Sequence, residues 1–356
     1  MLADDGGEYR CRLLAVGPLP ARIMIVSDAW LPQVNGVVRT IQTVAGELRT
    51  MGHTVEVVGP DRFPTLPCPT YPDIRLSILP RRRLNRIIEA FSPDALHIAT
   101  EGPLGLSARA WARKRGCAFT TAFHTRFPEY VQARIGLPPG WLYAFLRWFH
   151  DGGQGVMVAT ASLHAELAGR GFQRIRDWSR GVDLDLFKPE LREEWDLPRP
   201  VFAYVGRVAV EKNIRAFLDL DLPGSKVVVG GGPQLAALRR AYPAVHFTGP
   251  RYGAELARAY AGSDVFVFPS LTDTFGLVIL EALACGTPVA AFDVTGPKDV
   301  LAGADGVIGA VTGDLRQAAL DALSADRVAC RAHAERFSWR ACAEAFLGHL
   351  VPLGGH

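Results

Sequence analysis

Residues 263–294 constrain the fold most, because their breakers divide them into strand, loop, helix and strand. Residues 264–269 are a short apolar run rich in Val and Phe, which is typical of a strand buried on both faces. Residues 271–276 are rich in turn formers, and residues 277–285 contain good helix formers and no breaker. A glycine and a proline end that helix, and residues 288–292 form the second strand.

The loop before this helix offers an anion-binding site flanked by two carboxylates. First-turn amides have no acceptor within a helix, and the helix dipole favours negative charge there. Asp273 precedes the helix, and Glu281 lies one turn after Leu277 on the same face. This arrangement suggests a nucleotide-sugar pocket, with amides at the diphosphate, Glu281 at the ribose and Asp273 near the sugar. A buried strand-helix-strand unit with a solvated Asp273 and a capping Glu281 is the alternative.

The N-terminal half repeats the strand-helix-strand pattern. Residues 22–27 form an apolar strand, followed by a loop, a helix over about residues 37–51 and a strand at residues 54–58. This order is typical of a doubly wound sheet. Asn35 and Gly36 stand at the first turn, where the backbone can approach a phosphate; a simple turn is the alternative.

His124 follows the strand predicted at residues 118–123. Open α/β sheets bind ligands at the carboxyl ends of their strands, so His124 either contacts a ligand or makes a structural hydrogen bond.

A second domain begins near residue 200, where a strand leads into a loop with Gly206, Arg207 and Lys212. A departing nucleoside diphosphate gains negative charge, which fixed cations stabilise. A surface salt bridge is the alternative for the two cations. Gly231 lies in a run of three glycines after the next strand, where backbone and ligand can approach each other.

Asp273 and Glu281, separated by seven residues and joined to FGLVILEALACGTPV, resemble the signature of glycosyltransferase family 4. Gly206, Arg207 and Lys212 resemble the GR…EKN motif of that family. The phrases TDTFG and GPKD resemble a bacterial branch near the mannosyltransferases and sulfoquinovosyl-diacylglycerol synthases. Asp273 replaces the usual Glu and is one methylene shorter. The resemblance extends from about residue 23 to residue 350.

This resemblance implies a GT-B fold, with two Rossmann-like α/β domains facing across a cleft. Residues 1–190 would bind the acceptor, residues 191–334 would bind the nucleotide sugar, and residues 335–356 would return to the first domain. It also implies a retaining hexosyltransferase in which the leaving phosphate accepts the acceptor proton. The reaction-centre residues would be His124, Arg207, Lys212 and Asp273. Donor contacts would come from Asn35, Gly36, Gly206, Gly231, Thr274, Phe275, Gly276, Leu277 and Glu281.

The resemblance to the bacterial mannosyltransferase branch favours GDP-mannose as the donor. UDP-glucose, UDP-glucuronate and UDP-sulfoquinovose remain alternative donors. The acceptor is expected to be a diacylglycerol, a phosphatidylinositol-type lipid or a growing polysaccharide. A soluble transferase that builds a sugar chain or a small glycoside is the second enzyme hypothesis. A non-enzymatic nucleotide-sugar-binding regulator is the third, and turnover separates it from the enzymes.

Composition fits a cytoplasmic two-domain enzyme. The chain has 356 residues, of which 49% are hydrophobic and 21% charged. The N-terminal residues are acidic and lack the apolar core of a secretion signal. The sequence shows no run of about 18 apolar residues, which a membrane span needs. Six scattered cysteines, none in a CxxC pair, favour neither a zinc site nor a disulfide framework. The DLD triplets at residues 183–185 and 219–221 lack the strand-end setting of a metal site, and the resemblance implies a metal-free fold, so we expect no metal. We also expect no other cofactor and no nucleic-acid partner.

Contact with an anionic membrane is a further hypothesis. The first 190 residues carry 23 Lys and Arg against 18 Asp and Glu, and the remainder carries 16 against 18. Trp141, Phe145 and Trp148 fall at helical spacing near Arg147, as in helices that lie on membranes. A helix packed on the core is the alternative. The arginine cluster at residues 81–83 is a second candidate, at the end of a segment (residues 60–83) predicted to be irregular.

Overall fold

The computed structural model describes residues 21–33, 35–68, 71–129, 132, 139–192 and 195–354. The acidic N-terminus (residues 1–20) and the last two residues of the predicted returning segment (residues 335–356) lie outside these ranges.

In the described residues, the first α/β unit consists of a six-stranded parallel sheet, helices that cover it and a two-stranded hairpin. The strands of its sheet lie in the order β2-β1-β5-β6-β7-β8. In chain order the elements are β1 (Arg22–Val26), α1 (Gly36–Thr50), β2 (Thr54–Val58), β3 (Thr65–Cys68), β4 (Tyr71–Ser77), α2 (Arg81–Phe91), β5 (Ala95–Ile98), α3 (Pro103–Arg115), β6 (Thr120–Ala122), α4 (Pro139–Asp151), β7 (Val156–Val158), α5 (Ala161–Gly169) and β8 (Ile175–Asp177).

The second unit repeats this plan with another six parallel strands, in the order β11-β10-β9-β12-β13-β14. Its elements are β9 (Val201–Val205), α6 (Ile214–Leu218), β10 (Ser225–Val229), α7 (Leu235–Ala241), β11 (His246–Gly249), α8 (Gly253–Gly262), β12 (Val265–Phe268), α9 (Leu277–Ala284), β13 (Val289–Phe292), α10 (Pro297–Leu301), β14 (Gly309–Thr312), α11 (Leu315–Asp321), α12 (Arg327–Ala334) and α13 (Trp339–His349). The predicted α/β fold with two doubly wound parallel sheets is confirmed.

Both sheets reverse their strand order beside their first strand. β9 pairs with β10 on one side and with β12 on the other. Helices therefore cross to opposite faces of the sheet on the two sides of β9, and a crevice opens at the carboxyl ends of β9 and β12. The corresponding crevice of the first sheet lies between β1 and β5.

The segment at residues 60–83 is more regular than predicted. A 3-10 turn covers Pro60–Arg62, β3 and β4 pair as an antiparallel hairpin, and α2 begins at Arg81. Proline does not prevent this, because a two-stranded ribbon has edges on both sides where a missing N–H is tolerated. The arginine cluster thus belongs to the first turn of a helix whose buried side carries Leu84 and Ile88.

Helix α13 returns to the first unit. Phe346 and Trp339 belong to the core cluster that also contains Ile41 and Val44 of α1. The indole N–H of Trp178, just beyond β8, donates to the carbonyl oxygen of Cys342 at 3.0 Å. The last helix thereby anchors the end of the first sheet. Within the described residues, no helix has the length and apolarity needed to cross a bilayer.

Substituting Phe346 by Ala tests this anchoring. Phe346 is 1% exposed and its ring lies 5.1 Å from that of Trp178. We expect the cavity to cost about 3 kcal/mol or more of unfolding free energy. Calorimetry should show a clearly lower unfolding midpoint, whereas Glu344→Ala on the exposed face of α13 should leave it nearly unchanged. Equal midpoints for the two variants would contradict the packing.

Candidate active site

The second-sheet crevice brings a lysine and a carboxylate together. Lys212 ends a 3-10 turn after β9, and its Nζ lies 2.6 Å from Oδ1 of Asp273, which follows β12. Both side chains are largely shielded from solvent. The Asn213 side chain donates to the carbonyl oxygen of Pro269 at 3.1 Å, which ties the two loops together. The pair places a fixed cation beside the carboxylate predicted to hold the sugar.

Close backbone packing shapes the loops after β9 and β10, beside the Lys212–Asp273 pair. Gly206 follows β9, and a Cβ at Gly230 would lie 1.9 Å from the Gly206 carbonyl oxygen. The Gly231 carbonyl oxygen accepts the Val208 N–H at 2.9 Å. Arg207 belongs to this loop, and its carbonyl oxygen accepts the Tyr204 hydroxyl at 2.7 Å. The glycines let the loops after β9 and β10 lie side by side.

Helix α9 begins at a glycine that the backbone requires. Gly276 has φ +85°, a left-handed conformation that side chains disfavour, and it is the N-cap residue. The Phe275 side chain is buried and contacts the Phe337 ring, so only its backbone remains for a ligand. Thr274 donates its hydroxyl to the carbonyl oxygen of His124 at 2.7 Å. This loop therefore supplies backbone groups to the crevice and a contact to the first domain.

Glu281 is buried and binds partners from both domains. It is 3% exposed, and its Oε2 accepts the Tyr260 hydroxyl at 3.0 Å. Its Oε1 pairs with the guanidinium of Arg39, which lies one turn into α1. Burial, and next the Glu281 charge, raise the pKa of Tyr260 well above its usual value. Arg39 thus links Glu281 to the first domain at the position that the sequence predicts for the ribose.

The start of α1 faces the start of α9. Asn35 caps α1, because its Oδ1 accepts the N–H groups of Val37 and Val38 at 3.0 Å. A Cβ at Gly36 would lie 3.6 Å from a methyl carbon of Leu277. The Asn35 side chain is thus engaged in capping, and the two helix N-termini approach each other from the two domains.

His124 lies at the carboxyl end of β6, opposite the loop of Asp273. Its Nδ1 is 3.3 Å from a guanidinium nitrogen of Arg180. Burial lowers the pKa of His124 well below its usual value, with Arg180 as the next cause. Its Nε2 is a buried atom without a hydrogen-bond partner among the described residues.

Other buried polar atoms of the crevice also lack partners in the described part of the chain. They are Oγ of Ser270, Oγ1 of Thr272 and Oδ2 of Asp273. Buried polar groups are normally hydrogen-bonded. Several orphaned atoms within four residues of one loop, together with Nε2 of His124, indicate a site built for a polar ligand.

The comparisons with known proteins identify the family. Residues 34–186 match the profile of glycosyltransferase family 4, and residues 199–325 match that of the glycosyl transferases group 1. A GDP-mannose-dependent alpha-mannosyltransferase of Mycobacterium tuberculosis is 34% identical over 79% of this chain and 81% of its own length. The chain belongs to glycosyltransferase family 4. The predicted enzyme class, a glycosyltransferase that uses a nucleotide sugar, is confirmed.

Two further relatives extend the comparison. Sulfoquinovosyl transferase SQD2 of Arabidopsis thaliana is 30% identical over 84% of this chain and 65% of its own length. Sucrose-phosphate synthase from Thermosynechococcus elongatus has a similar structure, with a TM-score of 0.71, 20% identity and coverage of 92% of this chain and 97% of its own. The glycosyltransferase thus has the GT-B fold that the sequence predicts.

The structure assembles the predicted residues into a crevice, and their individual roles stay predictions. Sequence reasoning missed Arg39, Tyr260 and Arg180. Arg39 carried one usable signal, because it lies three residues after Gly36 and so projects from the same end of α1. Tyr260 and Arg180 reach the site only through tertiary packing. Asp183, in one of the DLD triplets, accepts the N–H groups of its own turn.

Replacing Arg39 by Gln tests whether it competes with the donor. If the ribose displaces Arg39 from Glu281, binding has to break an ion pair that is worth roughly 1 kcal/mol. The variant lacks this pair, so it should bind a nucleoside diphosphate about fivefold more tightly. Isothermal titration calorimetry measures this. Arg49→Gln, at the other end of α1, should leave affinity unchanged. Weaker binding by Arg39→Gln would show instead that Arg39 contacts the nucleotide.

Proposed function

We propose that this glycosyltransferase moves mannose from GDP-mannose to a lipid acceptor with retention of the anomeric configuration. The observation that carries the proposal is the Lys212–Asp273 pair at the second-sheet crevice, beside Arg207 and the start of α9. Two cations and a helix N-terminus suit a departing diphosphate, and a carboxylate suits sugar hydroxyls. The alpha-mannosyltransferase relative supports mannose as the sugar.

The proposed reaction proceeds on one face of the sugar. The bond from the anomeric carbon to the diphosphate oxygen breaks while an acceptor hydroxyl oxygen attacks from the same side. The hydroxyl proton passes to the departing phosphate oxygen, so no enzyme nucleophile is needed. GDP-mannose is an α-glycoside, so this course yields an α product, in keeping with the relative's name.

Side chains and backbone amides of the protein would stabilise the negative charge of the leaving diphosphate. Arg207 and Lys212 would neutralise the leaving diphosphate together with the first-turn amides of α9. Asp273, held beside Lys212, would accept sugar hydroxyls, and His124 would contact the sugar from the first domain. Closure of the cleft would exclude water and limit donor hydrolysis. We propose on these grounds that transfer requires no metal.

The first domain presents a surface suited to an anionic membrane. Helices α2, α3 and α4 share one core cluster and cover the same face of the first sheet. Their outer surface carries exposed Arg81, Arg82, Arg83, Arg86, Arg113, Lys114 and Arg115. On α4, Trp141 is 84% and Trp148 52% exposed. Aromatic side chains beside basic ones bind interfaces that contain anionic lipid. This surface supports a lipid acceptor and a peripheral location.

A donor assay tests the reaction. Purified protein with GDP-mannose and mixed lipid acceptors should give an α-linked mannolipid, identified by NMR of the anomeric proton, and excess EDTA should not reduce its rate. Lys212→Ala should lower kcat about 10- to 100-fold, as expected for losing a charge-assisted hydrogen bond.

The control for this assay is Lys298→Ala, which removes an exposed lysine paired with Asp293 at 3.1 Å and should leave kcat unchanged. Turnover of UDP-glucose, UDP-glucuronate or UDP-sulfoquinovose instead of GDP-mannose would replace the donor assignment. A β product, or loss of activity in EDTA, would contradict the mechanism.

Vesicle binding tests the membrane surface. The protein should sediment with vesicles of phosphatidylglycerol and phosphatidylcholine at low salt, and less so as salt screens the arginines. Trp141→Ser with Trp148→Ser should abolish most of this binding, whereas Val328→Ser, an exposed apolar residue of the second domain, should not. Absence of wild-type binding at low salt would contradict peripheral attachment.

A further inference from the structure

Arg180 is a buried arginine in the segment that leaves the first sheet. It is 5% exposed, and one guanidinium nitrogen donates to the carbonyl oxygens of Trp178 and Ser179 at 2.5 and 3.0 Å. Its guanidinium lies 4.2 Å above the Trp178 ring. These contacts fix the orientation of the side chain, and its second terminal nitrogen faces His124.

Arginine can only donate hydrogen bonds, and this determines the state of the histidine. The Arg180 guanidinium lies 3.3 Å from Nδ1 of His124, so Nδ1 must be the acceptor. A neutral imidazole with an accepting Nδ1 carries its proton on Nε2. Nε2 is the atom of His124 that lacks a partner among the described residues. Its N–H is therefore available as a donor to a substrate oxygen.

The same contact prevents formation of the imidazolium. A second proton would have to enter at Nδ1, where the guanidinium N–H already points. The charged and titratable groups that act on His124 are Arg180, His97 and His150, all of which disfavour a positive charge. His97 is itself buried and its pKa is lowered to about 3. No acidic group is among these influences.

We propose that Arg180 is a positioning residue that holds His124 as a neutral imidazole with its Nε2–H directed to the substrate. The assignment of the substrate as a donor sugar rests on the proposed function, whereas the state of His124 does not. A neutral donor suits a sugar that gains positive charge as its bond to the leaving group breaks, because an imidazolium there would oppose that charge.

The position of Arg180 depends on the returning helix. Trp178, on which Arg180 stacks, donates to Cys342 of α13. A Cβ at Gly181 would lie 2.4 Å from the backbone nitrogen of Trp339, so this segment is packed tightly against the start of α13. The C-terminal helix thus sets the reaction centre through Trp178 and Arg180.

Long-range 1H–15N NMR of protein labelled at histidine tests the proposal without any substrate. The His124 signals are assigned by their absence in His124→Gln. In the wild type we expect a proton on Nε2 and no titration between about pH 5.5 and 8, the interval in which an ordinary histidine titrates. In Arg180→Met, which cannot donate, Nδ1 loses its hydrogen-bond donor, so the proton should distribute between Nδ1 and Nε2 and the pKa of His124 should rise, although burial still holds it below its usual value. Arg180→Lys should restore the Nε2–H form at least in part.

Arg109→Met is the matched control, since Arg109 also stacks on a tryptophan and donates to two backbone carbonyl oxygens but contacts no histidine. His124 should keep its wild-type spectrum there. The acid limb of kcat should also lie at higher pH in Arg180→Met than in the wild type.

A wild-type His124 with its proton on Nδ1, or one that titrates like a free histidine, would overturn the proposal even if Arg180→Met failed to fold. An Arg180→Met spectrum and pH profile identical to those of the wild type would overturn it as well. Absence of sugar transfer alongside the expected titrations would instead count against the proposed function only.

Discussion

Glu281 is a buried carboxylate, and a buried charge is stable only when hydrogen-bonding partners and an opposite charge surround it. Here those partners come from both domains: Tyr260 from the second and Arg39 from the first. Because Arg39 is partly exposed, the pair itself contributes roughly 1 kcal/mol. Under the proposed function, a ribose diol would take the place of Arg39 at Glu281. Nucleotide binding and the contact between the domains would then be coupled through one side chain.

Further contacts between the domains surround the reaction centre. Arg126 donates to the Thr295 hydroxyl at 2.7 Å, and the Ser162 hydroxyl donates to Asp299 at 2.8 Å. Thr274 donates to the carbonyl oxygen of His124. Each is a polar contact of modest strength, worth roughly 1 kcal/mol or somewhat more. Such contacts suit a cleft that must open for a sugar nucleotide to enter and close before the sugar bond breaks.

The features that the sequence predicts well are those carried by local patterns. The strand-helix-strand unit around α9, the Gly276 turn and the loops carrying Lys212 and Asp273 follow from breakers and apolar runs close together in the chain. The hairpin at β3 and β4 was missed, because a partly exposed ribbon lacks the strong apolar run of a buried strand. Arg39 and Arg180 were missed as site residues, because their partners lie 242 and 56 residues away in the chain. Such contacts depend on how helices and sheets pack, which no local pattern encodes.

The chain connectivity places the Arg180–His124 contact within the first domain. The backbone passes from the first domain to the second near Val182 and returns near Ser338, and these two residues form an isolated bridge. Trp178, Arg180 and His124 all lie on the first-domain side, and Trp178 is held by α13, which itself packs on α1. The Arg180–His124 contact therefore lies within one domain, whereas the Thr274–His124 contact joins the two. Under the proposed closure of the cleft, the first contact would persist while the domains part, and the second would form as the loop of Thr274 meets His124.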